Sequence, residues 1–339
     1  MLAALLLPLA VPPSSQAQTT GVDPELEEWT VPYEASRPRD PYVAPDGRVW
    51  FVGQRSDYVA VMDPSTGDFR KYDLEDGAGP HNLVVADDGT VWYAGNRASH
   101  IGRVDAATGE ITKYMMPDER ARDPHTLEIA PDGTLWFTVQ GGNMIGHFDP
   151  ATGRTRLVEA PEVPGGRSTS SRPYGIKMDS RGNPWVVLFN TNKIARVDPA
   201  TMELTIHELP EDARPRRLVV DSKDQVWYVD YAQGRLGRLD PATGSVEEWD
   251  APGGRESRPY GMAIDEWDRV WFVETGMSPN TFVGFDPATE SFTSVSPIGS
   301  GAGAVRHMYY DADTDAIWFG TDANTVGRAV VPAPRRGVS

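Results

Sequence analysis

The sequence of 339 residues contains no cysteine, and this absence excludes disulfides, thiol nucleophiles and thiolate metal ligands together. Positive charge is also scarce, because 32 Lys and Arg residues stand against 49 Asp and Glu residues and leave a formal net charge of −17. That balance argues against binding to nucleic acid, whose phosphates need a basic surface, and against adsorption to an anionic membrane. An acidic surface serves solubility and favours neutral or cationic ligands.

Several catalytic motifs are missing too, since the chain has no Gly-x-Ser-x-Gly, His-Glu-x-x-His or EF-hand pattern. At the amino terminus, residues 1–11 are almost wholly apolar, but this stretch is too short to anchor the chain in a bilayer. A small-x-small cleavage site follows at Ser15-Gln16-Ala17. We therefore predict a signal peptide at residues 1–17 and a short segment at 18–25, and we expect a secreted or periplasmic protein.

A repeat built around tryptophan fills the rest of the chain. An Asp/Gly turn followed by an apolar-Trp-aromatic run recurs at a spacing of 42 to 49 residues. The repeated tryptophans are Trp50, Trp92, Trp136, Trp185, Trp227, Trp271 and Trp318. A period of about 45 residues is the length of one four-stranded propeller blade. The sequence thus predicts an all-β, seven-bladed β-propeller in which the tryptophans pack between the blades.

Each repeat is predicted to supply four strands, but the last one stops after its third strand. Residues 26–32 (Leu-Glu-Glu-Trp-Thr-Val-Pro) resemble a fourth strand at 246–252 (Val-Glu-Glu-Trp-Asp-Ala-Pro). We predict that this amino-terminal strand completes the seventh blade, since closure removes an exposed sheet edge. The propeller then covers residues 26–332 and leaves a tail at 333–339.

A second repeated phrase, usually a proline followed by an aromatic residue or histidine, marks the entry to each innermost strand. The seven residues predicted to ring the channel mouth are Tyr42, His81, His125, Tyr174, Arg216, Tyr260 and His307. Residues that end the second strands are predicted to join them: Gln54, Asn96, Gln140, Asn190, Asp230, Glu274 and Asp322. A concave polar mouth on a rigid scaffold suits a small-molecule or peptide ligand.

Structural roles compete with these assignments, because polar groups also line water-filled channels. His100, His147 and His207 lie outside the entry positions and are interpreted as structural. Residues 161–171 form an insertion on the mouth face, which serves either as a flap over a ligand or as a loose loop.

Three short phrases carry a resemblance to a known family. Residues 172–176 (Arg-Pro-Tyr-Gly-Ile), 136–138 (Trp-Phe-Thr) and 192–196 (Asn-Lys-Ile-Ala-Arg) resemble the repeats of the virginiamycin B lyase (streptogramin lyase) family. The resemblance covers essentially all of the chain after the predicted signal peptide and implies a seven-bladed propeller. It also implies a carbon–oxygen lyase that opens an ester in a cyclic depsipeptide antibiotic by elimination, with Mg²⁺ as cofactor and antibiotic resistance as the outcome.

The resemblance also assigns roles to individual residues. It implies that His307 is the general base, that Tyr42 is a second catalytic residue and that Asp322 is a metal ligand. Two positions depart from the family pattern, because Tyr260 stands where the lyases have a histidine and Val305 where they have a glutamate. We expect Glu274, which ends a strand in the neighbouring blade, to supply the missing carboxylate ligand. Substrate binding is assigned to Tyr260, Tyr174, His81, His125 and Arg216.

The chemistry of these groups is coherent by itself. Histidine is a suitable base near neutral pH, and a divalent cation on a carbonyl oxygen stabilises the charge that forms when an adjacent proton is removed.

The main alternative is a non-catalytic exported propeller that binds a peptide, sugar or cell-wall ligand at its mouth. A lactonase of the gluconolactonase type fits the Trp-Phe phrases less well, and a transition-metal site of His81, His125 and His307 is disfavoured because blades 2 and 7 are not adjacent. We expect a monomer.

Overall fold

Short β-branched and aromatic runs, separated by Asp- and Gly-containing turns, fold into seven four-stranded antiparallel sheets. The computed structural model describes residues 23–163 and 169–334. The predicted signal peptide and most of the tail lie outside these residues, as does the segment 164–168 of the predicted flap. Within the described ranges, no helix has the length and apolar character needed to cross a bilayer.

The strands follow the repeats in chain order. Strand β1 is Glu25–Thr30. Blade 1 has β2 Pro38–Val43, β3 Val49–Gly53, β4 Tyr58–Asp63 and β5 Asp68–Asp73. Blade 2 has β6 Pro80–Val85, β7 Val91–Gly95, β8 His100–Val104 and β9 Ile111–Met115. Blade 3 has β10 Pro124–Ile129, β11 Leu135–Val139, β12 Met144–Asp149 and β13 Arg154–Glu159.

The later repeats continue the pattern. Blade 4 has β14 Pro173–Met178, β15 Pro184–Leu188, β16 Lys193–Val197 and β17 Leu204–Glu208. Blade 5 has β18 Pro215–Val220, β19 Val226–Asp230, β20 Arg235–Leu239 and β21 Val246–Asp250, followed by a 3₁₀ turn at Gly254–Ser257. Blade 6 has β22 Pro259–Ile264, β23 Val270–Glu274, β24 Thr281–Asp286 and β25 Ser291–Pro297. Blade 7 has β26 Val305–Asp311, β27 Ala316–Thr321 and β28 Thr325–Val330, to which β1 is added.

The core lies between the blades. Seven clusters of buried residues are found, one at each interface between neighbouring blades. The repeated tryptophans sit on the second strands, are at most 5% exposed, and belong to these clusters. Each tryptophan therefore joins its blade to a neighbour, and the predicted all-β propeller of seven blades is confirmed.

The amino-terminal strand closes the ring as predicted. Strand β1 pairs antiparallel with β28, from Glu25 opposite Val330 to Thr30 opposite Thr325. The Trp29 ring stacks on Trp318, with 5.6 Å between ring centroids. The last blade thus unites the two ends of the described chain, and its outer edge is provided by residues about 300 positions away in sequence.

A candidate ligand site at the channel mouth

Strand register shows which side chains share a level in the central channel. In each blade one first-strand residue lies opposite the repeated tryptophan, as Tyr42 lies opposite Trp50 and Val84 opposite Trp92. These opposite residues form the far layer: Tyr42, Val84, Glu128, Lys177, Val219, Ala263 and Tyr309. The residues two positions before those of the far layer form the middle layer: Asp40, Asn82, Thr126, Gly175, Arg217, Gly261 and His307. The residues three positions before those of the far layer form the mouth layer: Arg39, His81, His125, Tyr174, Arg216, Tyr260 and Arg306.

This register corrects two of the predicted mouth positions. Blade 1 has two prolines, and its first strand begins at Pro38 rather than Pro41, so the mouth residue is Arg39 and Tyr42 lies three residues deeper. Blade 7 has Val305 in place of the proline, so its mouth residue is Arg306 and His307 lies one residue deeper. The other five predicted entry residues do share the mouth layer.

Tyr42 accordingly lies towards the opposite face of the disc. Its ring contacts Tyr309 with 4.0 Å between centroids, and it lines a surface cavity of about 690 Å³ together with Asp87 and Trp92. Burial is the main cause that raises the pKa of Tyr42 far above its usual range, and the neighbouring Tyr309 adds to it. Tyr42 is therefore not positioned to act with the mouth-layer residues.

His307 is enclosed in the middle of the channel. Its side chain is buried, and its Nδ1 has no hydrogen-bond partner among the residues that the structure describes. Burial lowers the pKa of His307 to about 3, although Asp40 opposes the shift. An imidazole that remains neutral to such low pH is a weak base, so this environment does not favour the predicted role of His307.

Two buried histidines lie side by side in the mouth layer. The rings of His81 and His125 are 3.6 Å apart between centroids. An N–H of Arg39 is 2.7 Å from His81 Nε2, and His81 Nδ1 is 3.0 Å from the carbonyl oxygen of His125. Because arginine only donates and a carbonyl only accepts, His81 carries its proton on Nδ1 and is neutral. Burial lowers the pKa of both histidines, and nearby arginines add to the effect.

On the other side of the mouth an arginine lies against tyrosines. The hydroxyls of Tyr174 and Tyr260 are hydrogen-bonded to each other, and the guanidinium carbon of Arg216 lies 3.6 Å from the Tyr260 ring centroid and 4.2 Å from that of Tyr231. Burial would raise the pKa of Tyr174, but Arg216 and Arg217 outweigh it and lower that pKa. The aromatic faces hold Arg216 in place while its Nε has no partner among the described residues.

A cavity of about 250 Å³ lies beside these groups. Its lining residues are Gln54, His81, Asn96, Asp123, His125, Gln140, Arg172, Tyr174, Phe189 and Arg216. Arg172 donates to Gln140, with 3.0 Å between Nη2 and Oε1, so a second guanidinium borders the cavity. Asp123 is the carboxyl group in this lining, and burial raises its pKa to about 6 despite a hydrogen bond from Asn96.

The raised pKa of Asp123 predicts a pH-dependent stability. A carboxyl group whose folded pKa exceeds its unfolded value of about 4 stabilises the fold below that value, and this contribution is lost as the pH rises through about 6. In Asp123→Asn the contribution is absent, so the free energy of unfolding of the variant relative to the parent should improve by roughly 1–2 kcal/mol between pH 4 and pH 7. Denaturant titrations at several pH values measure it. Asp68→Asn, at an exposed position of β5, is the control, and parallel pH curves for parent and Asp123→Asn would contradict the prediction.

The two predicted metal ligands are already engaged. Both carboxylate oxygens of Asp322 accept from the guanidinium of Arg306, and Arg37 Nε lies 3.4 Å from the same carboxylate. Glu274 is 1% exposed and accepts from the N–H of Gly253 and the hydroxyl of Thr281. No group of three or more His, Asp or Glu residues suited to a metal ion occurs within the described ranges. This donor set does not fit the predicted magnesium site.

Sequence reasoning missed several residues of the mouth. The proline rule selects Tyr42 and His307 in blades 1 and 7, where the mouth residues are Arg39 and Arg306. Phe189 and Tyr231 occupy the strand-end positions of blades 4 and 5 that correspond to Gln54 and Asn96. The tryptophan of each repeat is the signal that would have found them. The number of residues between the first strand and the tryptophan varies with turn length, but the same first-strand position pairs with the tryptophan in every blade.

The fold and this polar mouth define a seven-bladed β-propeller with a candidate ligand site at one end of its channel. The profile of the virginiamycin B lyase family matches residues 15–163 and 161–333, so the chain belongs to that family. No curated protein sequence matches the chain.

Solved structures agree with this assignment at the level of the fold. The virginiamycin B lyase from Staphylococcus aureus superposes with a TM-score of 0.80 at 23% identity, over 91% of this chain and all of that one. A catalytically inactive histidine-to-alanine variant of that lyase, determined with quinupristin, gives the same values. The hydrazine synthase of Kuenenia stuttgartiensis has a TM-score of 0.72 at 15% identity, over 91% of this chain and 98% of that chain. Identities this low establish a shared fold and leave the activity to be inferred.

Proposed function

We propose that this virginiamycin B lyase family member binds, at its channel mouth, a small molecule or peptide that bears a carboxylate or another anionic group. The composition of the mouth layer carries the proposal, because its seven positions hold three arginines, two histidines and two tyrosines and no carboxylate. The chain as a whole has a net charge of −17. A cationic pocket in an acidic protein focuses attraction for an anion on one place, which differs from the preference for neutral or cationic ligands that composition suggests.

The groups around the cavity suit such a ligand. Arg216 and Arg172 present planar guanidinium groups, which bind carboxylates through paired hydrogen bonds. Phe189 and Tyr174 add aromatic faces beside them, and these contact apolar parts of a ligand. His125 lines the same cavity as a neutral acceptor or donor. The mouth therefore combines charge, apolar surface and directed hydrogen bonds in one small volume.

Carbon–oxygen elimination is the second candidate, and family membership favours it. In this reaction a base removes the proton from the carbon next to a carbonyl, the electron pair forms a C=C bond, and the ester C–O bond breaks to release a carboxylate without consuming water. The arginines of the mouth would bind that leaving carboxylate. Burial lowers the pKa of His125 as it does that of His307, so position alone separates the two candidates for the base. We propose His125 for this role because it borders the mouth cavity, whereas His307 does not.

The two candidates are separated by incubating the protein with quinupristin and following the antibiotic by liquid chromatography with tandem mass spectrometry. Elimination gives a linear isomer of unchanged mass but different retention and fragmentation, hydrolysis adds the mass of one water, and binding alone leaves the cyclic starting material. For elimination, His125→Ala should lower the rate about 10²- to 10⁴-fold, with His147→Ala as a control at a third-strand position outside the channel. Runs with added Mg²⁺ and with a chelator test the cofactor that the family resemblance implies.

Binding without turnover is tested by calorimetry. N-acetylated aromatic amino acids with a free carboxylate should bind, and the matched primary amides should bind at least about tenfold more weakly, because the amide lacks the charge that the arginines recognise. Equal affinities for acid and amide would contradict anion recognition. Export to a secreted or periplasmic location and a monomeric state remain predictions, which fractionation of the producing cells and the solution mass would test.

A further inference from the structure

A group of buried polar atoms in the mouth and middle layers of the channel has no partners among the described residues. They are Nε and Nη2 of Arg39, Oδ1 of Asp40, Nη2 of Arg217 and Nδ1 of His307. The four residues are 4%, 2%, 3% and 7% exposed. Buried polar atoms in folded proteins are nearly always hydrogen-bonded to protein, water or a ligand. Their concentration in these two adjacent layers therefore points to something that binds between them.

Arg217 extends across the channel and connects several blades. Its Nε donates to the carbonyl of Arg306 at 2.9 Å and its Nη1 donates to Thr126 Oγ1 at 3.0 Å. Its Nη2 is 3.8 Å from Asp40 Oδ2, which is too far for a hydrogen bond. The guanidinium thus contacts blades 7 and 3 directly and approaches blade 1, and one of its edges still lacks an acceptor.

The charges of this group do not balance. Arg39 and Arg217 contribute two positive charges and Asp40 contributes one negative charge. Arg39 Nε lies 3.5 Å from Asp40 Oδ1, so the carboxylate approaches both guanidinium groups and fully neutralises neither. His307 remains neutral, since burial lowers its pKa to about 3. A net positive charge buried in this way is unfavourable unless an anion compensates it.

A row of aromatic rings separates Arg217 and His307 from the mouth cavity. The rings of His81, His125 and Tyr174 contact one another in sequence, with centroids 3.6 Å and 4.2 Å apart, and Tyr174 is hydrogen-bonded to Tyr260. The mouth cavity is lined by this row and not by Arg217 or His307. A monatomic anion is the smallest anion that compensates the charge beneath this row.

We propose that the middle of the channel binds one halide ion, held between Arg39 and Arg217 beside His307, as a structural part of the propeller. The ion accepts from the guanidinium N–H groups that no protein acceptor reaches. Arg39 belongs to the mouth layer, but none of Arg39, Arg217 and His307 lines the mouth cavity, so the proposal is independent of whether that cavity binds a carboxylate or catalyses elimination.

The first test is thermal unfolding of the purified protein in mixtures of sodium chloride and sodium gluconate at constant ionic strength. Above its dissociation constant, a halide that binds only the folded state should raise Tm by about 1–3 °C for each tenfold increase in chloride. Bromide should act like chloride. A Tm that is the same in chloride and gluconate would mean that water satisfies these groups, and would overturn the proposal.

Two variants shift the response in opposite directions. Arg217→Met removes one positive charge at similar length, so the chloride dependence of Tm should disappear. Asp40→Asn removes the competing negative charge at the same shape, so the chloride concentration for the half-maximal rise should fall by about tenfold. Arg238→Met, at a third-strand arginine of blade 5 that is paired with Glu247, is the matched control and should respond as the parent does. An unchanged response in Arg217→Met and Asp40→Asn would overturn the assignment.

A crystal grown in bromide locates the ion directly. The expected result is an anomalous difference peak within about 3.5 Å of the Arg39 and Arg217 guanidinium groups. Bromide peaks confined to the protein surface would overturn the proposal even if Tm depends on halide.

Discussion

Deleting residues 23–30 is expected to lower Tm by about 10 °C or more and to broaden the unfolding transition. These residues contain β1, which pairs with β28 along six residues. The deletion removes the stacking of Trp29 on Trp318 and weakens the burial of Val31, the next residue. Each large apolar side chain contributes about 1.5–3 kcal/mol on burial, and 1 kcal/mol corresponds to about 2–4 °C for domains of roughly 150–250 residues.

Polar contacts add to the expected loss. Glu28 accepts from the N–H and hydroxyl of Ser300 and from the hydroxyl of Thr325, so the deletion leaves these donors without their acceptor. It also exposes β28 as an edge that is open to pairing with other chains. Calorimetry and light scattering measure the two effects. Glu25→Ala, at an exposed position of the same strand, is the control, and an unchanged melting curve for the deletion would contradict closure of the ring by β1.

Replacing Arg216 by methionine is expected to weaken binding of a carboxylate ligand on the order of 100-fold, because truncating one partner of a desolvated charge pair costs several kcal/mol. The guanidinium is held against Tyr260 and Tyr231, so it is oriented before the ligand arrives. Methionine preserves length and apolar contact but removes the charge and the donors.

Two further variants make this result specific to Arg216. Arg216→Lys keeps the charge without the planar fork and should be intermediate. Arg238→Met makes the same chemical change on the outer side of blade 5, where Arg238 contacts Trp227 and Trp249, and should leave affinity unchanged. If Arg216→Met and Arg238→Met bind the acid ligand equally well, the mouth arginine does not recognise the anion.

Much of the fold could be predicted because it depends on local and repeated features. The tryptophan period gives the number of blades, and the unpaired fourth strand at the amino terminus gives the closure. Both follow from sequence, since each repeat contains its own turns and each tryptophan must be buried against a neighbour. The resemblance to the family rests on the same repeats.

The site was predicted less well because it depends on register. The five entry residues from His81 to Tyr260 follow a proline that begins the strand, and their common level was predicted correctly. Tyr42 follows a second proline inside its strand and His307 follows no proline, so the same rule misplaces both. Contacts such as those of Arg217 depend on distances across the channel between blades far apart in sequence, which no repeat pattern specifies.

The most direct test of anion recognition at the channel mouth is a crystal structure of the protein with an N-acetylated aromatic carboxylate bound. Ligand density is expected at the mouth, with the carboxylate within hydrogen-bond distance of Arg216 and the ligand also contacting His125. Density beside Tyr42 on the opposite face, or against none of the mouth-layer residues, would contradict it.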